Sequence, residues 1–488
     1  MLTKDEIKTL IDNDKASEKK KAAKVGQRYY EAEHDIRQYR VFFVDADGNL
    51  KEDKTKSNIK ISHPFFTELT DQIVQYILSG EDAIIRSDIP ELQTELDAYF
   101  NDNEDFAAEL NDVLTGAVAK GFENMYAYKN AEGKTAFQCA DSLGVIEVKA
   151  SESSDGQEHI IYWYIDKIDK DGKAVVKIHD WDSTQTMMYV QIGDGKIEED
   201  DTEEINPRPH VIYKKDGDES IYYDDYGFIP FFRLDNCKKQ FSGLKPIKDL
   251  IDDYDLMSCG LSNNIQDTNE ALYVVKGFQG DNLDELMLNV KAKKHIGVDD
   301  DGGVEIHTVD IPYQARQAKL ELDEKNIYRF GMGLNTAGLK DTTATTNMAI
   351  KTAYSLLDLR ASKLKPRLKQ FLRKLLKVVL KEINDEQGTD YQQKDVYFVF
   401  EPEVPTNAQE NAQIELIEAQ RKQTEITTLL NLATQFDNET LMQLICEQLD
   451  LDYDDIKDKL PDPDADTSMY AKTALENAPV DDGGGVIE

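Results

Sequence analysis

The feature that most constrains the fold is one long helical stretch, from about Met348 to Asp385, that is apolar on one side. Its apolar residues recur every three or four positions, the spacing that brings side chains onto one face of an α-helix. Pro366 lies inside the stretch and is predicted to interrupt and kink the helix, because proline removes one hydrogen bond and clashes with the preceding turn. The apolar face consists of Leu364, Leu368, Leu372, Leu375 and Val379.

The same stretch is strongly basic in a chain that is otherwise acidic. Nine lysines and arginines and no acidic residue lie between Arg360 and Lys381, whereas the whole chain carries a net charge of −38. Such a helix can bind a membrane or a calmodulin-like partner, contact DNA phosphates, or pair with acidic surfaces of its own chain or of a neighbouring subunit. We favour the last interpretation, because a basic stripe offsets self-repulsion between copies of an acidic chain. The candidate subunit-interface residues are Arg360, Lys363, Lys369, Arg373 and Lys377.

Length and composition place the chain among globular proteins. Its 488 residues correspond to about three domains, and 40% of them are hydrophobic. No apolar run approaches the roughly 18 residues needed to cross a bilayer, and the first residues lack the apolar core of a signal peptide, so we expect folding in a cytosol. The four cysteines are scattered and are predicted to stay reduced. The acidity indicates either high solubility or a surface that avoids DNA, and composition alone does not choose between them.

The first half of the chain is predicted to combine helices and strands. The first 25 residues form a helical, partly mobile arm in this interpretation. A hairpin is expected where Tyr39–Val44 runs into a DADGN turn, and helices at about 64–78 and 89–120. From Phe122 to Tyr223, short aromatic and β-branched runs separated by turns predict an antiparallel β-rich region.

Two predicted helices flank a small α/β insertion in the second half. The first helix runs from about Pro246 to Thr268 and the second from about Pro312 to Phe330. The insertion, 270–311, is predicted to hold a strand, a helix at 282–291 and a strand pair around an Asp299–Gly303 turn. The apolar positions of the first helix are Ile247, Leu250, Tyr254, Met257, Leu261 and Ile265, and its acidic positions are Asp249, Asp252, Asp253 and Asp255.

The second of these helices leads into a loop of small polar residues. Three glycines and five threonines lie between residues 331 and 347, a composition typical of loops. The loop is either a flexible connector or a segment that protrudes where DNA passes, with hydroxyls and Lys340 making weak phosphate contacts. Beyond the long helix, a strand at 396–400 and helices near 407–436 and 439–449 are expected, and the acidic tail after residue 460 is predicted to be disordered.

No enzymatic motif is recognisable. The seven histidines lack metal-ligand spacing, and neither a GxSxG elbow nor a GxxxxGK[ST] phosphate loop occurs. Asp462, Asp464 and Asp466 lack the glycine and the distal glutamate of a calcium loop. We therefore expect no catalytic residue, no metal and no cofactor. The alternatives are an acidic scaffold or adaptor protein that binds through the basic helix, and a hydrolase that uses carboxylates and a metal.

Three long stretches resemble the portal, or head-to-tail connector, family of tailed bacteriophages, of the type found in long-tailed phages of Gram-positive bacteria. The first contains Tyr29-Tyr30 and His34-Asp35-Ile36, the second is Asn58–Gly80, and the third, Tyr226–Phe278, contains GFIPFFRLDN and YVVKGF. The resemblance covers nearly the whole chain and includes the order of the elements. It implies an α+β portal fold with an α/β wing, a two-helix stem, a small α/β clip, a long kinked helix and a helical crown.

The resemblance also implies a division of the chain. The segments are an amino-terminal arm (1–25), the first part of the wing (26–240), a stem helix (241–269), the clip (270–311), a second stem helix (312–332), a tunnel loop (333–347), the long wing helix and strand (348–405), the crown (406–460) and a disordered acidic tail (461–488).

A portal forms a ring, usually of twelve subunits, around a tunnel for double-stranded DNA. The implied partners are further copies of the chain, DNA without sequence specificity, terminase, a head-completion adaptor, and the major capsid and scaffolding proteins, with no membrane. The implied location is the portal vertex of the virion, after assembly in the host bacterial cytoplasm. DNA-facing loop candidates are Lys340, Thr342, Thr343, Thr345, Thr346 and Asn347, and acidic tunnel-lining candidates are Asp249, Asp252, Asp253 and Asp255.

Overall fold

The computed structural model describes the chain in thirteen segments: 2–45, 47–54, 56–80, 83–130, 133–149, 157–214, 221–267, 272–278, 298–307, 312–336, 347–401, 408–431 and 438–448. The chain divides into two compact units. The first comprises Met1–Thr343 and Lys351–Val404, and the second comprises Ala344–Ile350 and Pro405–Glu488.

Helices and strands are both abundant, as expected for an α+β fold. The α-helices of the described segments are α1 (Lys4–Ala16), α2 (Glu18–Tyr30), α3 (Phe65–Leu78), α4 (Pro90–Leu96), α5 (Glu104–Lys120), α6 (Lys248–Asp267), α7 (Tyr313–Gly331), α8 (Asn347–Gln387), α9 (Ala408–Asn431) and α10 (Asn438–Gln448). The strands are β1 (Phe42–Val44), β2 (Leu50–Glu52), β3 (Ile85–Arg86), β4 (Phe122–Lys129), β5 (Thr135–Ala140), β6 (Val145–Lys149), β7 (Gln157–Ile168), β8 (Ala174–Trp181), β9 (Gln185–Ile192), β10 (Glu198–Glu199), β11 (Arg208–Pro209), β12 (Val211–Lys214), β13 (Ile221–Asp224), β14 (Phe231–Asp235), β15 (Leu272–Phe278), β16 (Val298–His307) and β17 (Tyr397–Phe398).

The amino-terminal segment forms two capped helices, of which the first packs on a sheet. Thr3 caps α1 with a capping box, and the Ser17 side chain accepts the Lys20 N–H at the start of α2, so the helix breaks at Ser17. Ile7 of α1 is fully buried in a cluster with residues of β6, β7 and β8. The segment is helical, as predicted, and the apolar face of α1 is part of a core, while the partial mobility of the arm stays a prediction.

The β-rich region predicted between 122 and 223 is present and antiparallel. One sheet has the order β10-β9-β8-β7-β6, with β11 also paired to β9. A second sheet has the order β14-β4-β5. A cluster of buried residues that includes Ile160 and Phe231 joins the two sheets.

The long helix α8 is the central element of the largest core. Its predicted apolar residues Leu364, Leu368 and Leu372 are all buried, and they pack with residues of α3, α4, α5 and β4. The helix continues through Pro366, so the prediction that this proline interrupts it is wrong. Because residues of α3, α4, α5 and β4 share this core, these elements are positioned relative to one another by the apolar face of α8.

Helix α5 lies against this core with well-defined ends. The Asn103 side chain accepts the Phe106 N–H at 3.0 Å, and the helix ends at Gly121, whose φ of 100° lies in the left-handed region that favours glycine. A Cβ at Gly121 would also lie 2.3 Å from the Gln240 carbonyl oxygen. Gly121 therefore allows the chain to turn directly from α5 into β4.

In the described residues of the insertion between α6 and α7, β15 and β16 form an antiparallel pair. Residues 298–307 form a single strand that pairs with β15 at Val298 and again at residues 303–307, with a register shift between Lys276 and Phe278 of β15. The predicted strand pair around an Asp299–Gly303 turn is therefore wrong in its partner, since both parts of 298–307 pair with β15, and the register shift falls on residues 299–302. The predicted helix at 282–291 lies outside the described residues, as does the tail after residue 460.

In the second unit, helices α9 and α10 pack against each other. Both lie where the sequence predicts helices. Within α10, Leu441 and Cys446 are buried.

Candidate functional site

Helices α6 and α7 form an antiparallel pair that leads to and from the β15–β16 hairpin. Lys319 of α7 contacts Asp253 of α6 at 2.5 Å, and a Cβ at Gly260 would lie 3.1 Å from Arg316. At the other end, Gly331 of α7 approaches Ile247, next to the start of α6. The pair places the hairpin at one end, and the start of the Thr-rich loop at the other.

The four predicted tunnel-lining residues of α6 lie in different surroundings. Asp249 is exposed, whereas Asp252 accepts hydrogen bonds from Lys248, at 2.6 Å, and from the Tyr29 hydroxyl. Asp253 forms the ion pair with Lys319. Asp255 is fully buried. The prediction that Asp255 lines a tunnel is therefore wrong, because its carboxylate is enclosed within its own chain.

Asp255 joins three distant segments through two histidines. Its Oδ2 lies 2.6 Å from Nδ1 of His34, and its Oδ1 lies 2.7 Å from Nδ1 of His63 and 3.0 Å from the His63 backbone N. The His34 ring stacks on Tyr29, with ring centroids 4.5 Å apart, and its Nε2 lies 3.3 Å from the Tyr29 carbonyl oxygen. This set, Asp255 with His34 and His63, is called the Asp255 node below. It fixes α6 to the segments that precede β1 and α3.

The node also shifts the ionisation of its carboxyl group. Burial alone raises the pKa of Asp255, but the hydrogen bonds from His34 and His63 outweigh it and hold the pKa below its ordinary value. The carboxylate is thus kept charged in the core. A charge buried in this way needs partners on both oxygens, and the two imidazoles supply them.

The first residues of the Thr-rich loop are held by α3. The Leu334 N–H donates to Gln72 Oε1, and Gln72 Nε2 donates to the Leu334 carbonyl oxygen, both at 2.9 Å. The predicted DNA-facing residues Lys340, Thr342, Thr343, Thr345 and Thr346 lie outside the described residues, and Asn347 is the first residue of α8.

The predicted interface residues of α8 fall into two groups. Arg360 turns inward, and its Nη1 donates to the carbonyl oxygens of Leu69, at 2.9 Å, and Gly331, at 3.1 Å. Burial lowers the pKa of this guanidinium to about 10. We correct the prediction for Arg360, which ties α8 to α3 and α7 of its own chain. Lys363, Arg373 and Lys377 are exposed, and Lys369 is half-buried near the ring of Phe400.

Neither a metal centre nor a membrane segment is found among the described residues. No group of three or more histidines, cysteines or carboxylates within those segments could hold a metal ion. None of the described helices is both long and apolar enough to cross a bilayer.

The sequence pattern of the family described as "Phage portal protein, SPP1 Gp6-like" matches residues 9–452. The chain is 28% identical to the portal protein of Bacillus phage SPP1 over 351 residues, which cover 71% of this chain and 67% of that protein. It is 29% identical to the portal protein of Clostridium phage phiCD119 over 163 residues, which cover 32% of this chain and 35% of the relative. A family match of this extent assigns the fold as well as the class of protein, and the chain belongs to the phage portal protein family of the SPP1 Gp6-like type.

Proposed function

We propose that this chain forms a ring, of about twelve copies, at one vertex of a phage capsid. Double-stranded DNA passes through the ring during packaging and again during ejection. The observation that carries the proposal is the family match over residues 9–452, which includes the helix pair, its hairpin and the long helix. The ring also serves as the docking platform for terminase, for a head-completion adaptor and for capsid and scaffolding proteins.

The charge of the chain supports passage without tight binding. Lysine and arginine bind DNA by displacing counterions from phosphates, and every fixed phosphate contact slows sliding. A chain with 95 acidic and 57 basic residues repels the duplex over most of its surface. On α6, the exposed Asp249 and the partly exposed Asp252 and Asp253 remain the proposed acidic lining.

The proposal assigns no catalysis to the chain. Packaging needs energy, and the sequence lacks the GxxxxGK[ST] loop that would hold a nucleotide phosphate. The ATP-hydrolysing terminase therefore supplies the work, and the ring acts as its conduit.

Mass measurement of the purified protein tests the proposal directly. We expect rings of about a dozen subunits of 55.5 kDa, with a central opening in negative-stain images and weak binding of duplex DNA at physiological salt. A stable monomer at high concentration would contradict the ring. Small oligomers without an opening would favour the acidic scaffold or adaptor instead.

The Thr-rich loop provides a separate prediction. Deleting residues 336–345 should leave ring assembly intact and lower DNA packaging or retention at least tenfold, because this loop is proposed to narrow the tunnel around DNA. The measurement is the DNA content of particles assembled with the variant. Removing the ten residues 479–488 is the matched control and should leave packaging unchanged. Loss of ring assembly in the loop variant would instead assign the segment a structural role.

A further inference from the structure

The outward side of α8 carries a row of positive charge that is distinct from its buried face. Lys363, Arg367, Lys374, Lys377 and Lys381 are spaced by four, seven, three and four residues, which places them on one side of a helix. Arg367 is partly exposed and the four lysines are exposed. We call this row the basic face of α8.

Within the part of the chain that the structure describes, none of these five side chains lies within 4 Å of a carboxylate. Other lysines of the first unit are differently placed. Lys120 contacts both Glu123 and Asp141, and Lys248 contacts both Asp35 and Asp252. In an acidic chain, a row of cations without acidic neighbours leaves like charges facing one another along the helix, which is unfavourable unless another surface neutralises them.

A complementary acidic surface lies on α5. Asp105 and Asp112 are exposed, Glu109 between them is half-buried, and no lysine or arginine of the described segments lies within 4 Å of the three. They share one side of the helix, because they lie four and then three residues apart, and the Glu109 carboxylate also accepts the Cys139 N–H at 2.6 Å. We call Asp105, Glu109 and Asp112 the acidic face of α5.

The two faces match in spacing, and the end residues of each, Lys374 and Lys381 on α8 and Asp105 and Asp112 on α5, are exposed. Lys374, Lys377 and Lys381 are separated by three and then four residues, and the acidic face, counted from Asp112 back to Asp105, has the same intervals. Each set therefore spans about 10 Å along its helix, at roughly 1.5 Å per residue. Both helices bury their apolar faces in the same core, so their charged faces are turned away from it.

We propose that the basic face of α8 in one copy docks, antiparallel, on the acidic face of α5 in the next copy, an inference that rests on the proposed ring. Lys374 then lies opposite Asp112, and Lys381 opposite Asp105. Because the two faces are different surfaces of one chain, the contact is head-to-tail and repeats from copy to copy until the ring closes. It also brings opposite charges together where copies of an acidic chain would otherwise repel.

Charge reversal of each face tests the pairing. The variant Lys374→Glu/Lys381→Glu and the variant Asp105→Lys/Asp112→Lys should each form at least tenfold less ring than the wild type, by native mass spectrometry. An equimolar mixture of the two should recover rings that contain both in equal number, because each reversed face then meets its complement. The four substitutions combined in one chain should also restore rings. Lys238→Glu/Lys239→Glu, which reverses two exposed lysines of a loop, is the matched control and should assemble normally.

The outcomes separate this inference from the proposed function. Rings at the wild-type level from either single-face variant would overturn the pairing and leave the ring proposal standing. A mixture that fails to assemble, although circular dichroism shows that both variants are folded, would have the same meaning. Normal rings that lose DNA retention after reversal of the lysines would overturn the pairing and would favour a basic face that is directed at DNA. Should reversal disturb folding, Lys374→Gln/Lys381→Gln removes the charge alone and should still reduce ring formation. A wild-type chain that stays monomeric overturns both proposals.

Discussion

Replacing Asp255 with alanine is expected to lower the free energy of unfolding by about 3–5 kcal/mol, the cost of removing one partner of a buried charged pair. The substitution leaves Nδ1 of both His34 and His63 without their acceptor in the core. It also releases α6 from the segments that precede β1 and α3. The measurement is denaturant unfolding at a fixed protein concentration, because subunit association contributes to apparent stability.

Asp249→Ala is the control for this variant. Asp249 lies on the same helix and carries the same charge, but it is exposed, so its loss should change the free energy of unfolding by less than about 0.5 kcal/mol. Equal effects of the two substitutions would show that the Asp255 node does not stabilise the fold.

The effect of Asp255 should depend on pH in a defined direction. The folded chain holds the pKa of Asp255 below its ordinary value, so folding favours the charged form. The contribution of Asp255 to stability is therefore fully present above its pKa in the unfolded chain, about 4. This contribution declines as the pH falls through the lower pKa of Asp255 in the folded chain. Unfolding curves of wild type and Asp255→Ala should accordingly converge below about pH 4. A difference that grows on acidification would contradict the assignment.

Replacing Leu372 with alanine is expected to lower the free energy of unfolding by about 2–5 kcal/mol, through lost apolar burial and the cavity that remains. Leu372 is fully buried in the core around α8. The two tryptophans, Trp163 and Trp181, lie in the six-stranded sheet, so unfolding of the first unit can be followed by fluorescence.

Leu359→Ala provides the same chemical change on the same helix. Leu359 is 50% exposed, and its truncation should cost well under 1 kcal/mol in the separate subunit. A similar loss at both positions would mean that α8 does not face the core as described.

Much of the fold could be predicted, because the spacing of apolar residues along a helix indicates which side of that helix is buried. In α8, Leu364, Leu368, Leu372, Leu375 and Val379 were all predicted to share a face, and all are buried. The same reasoning failed on α6, where the buried residues are Ile251, Asp255 and Cys259. A carboxylate on the core side of a helix cannot be inferred from hydrophobic spacing, because its partners come from elsewhere in the chain.

The sequence did contain a signal for the Asp255 node. His34, His63 and Asp255 each lie in one of the three stretches that carry the resemblance to portal proteins. Their convergence at one point could not be predicted, since nothing in a single sequence pairs residues that are 221 and 192 positions apart. The inward orientation of Arg360 could not be predicted for a similar reason. Its acceptors are backbone carbonyl oxygens, which every residue type carries, so the sequence does not identify them.

The position of Asp255 in the chain has a consequence for synthesis on the ribosome. His34 and His63 are made long before their shared acceptor, and contacts at such separations close late because a large loop must first be ordered. Until α6 leaves the exit tunnel, the early segments lack the carboxylate that holds them together. Nascent chains whose α6 is still inside the exit tunnel should therefore be cleaved by protease around His34 and His63, and protection should begin only once α6 has emerged.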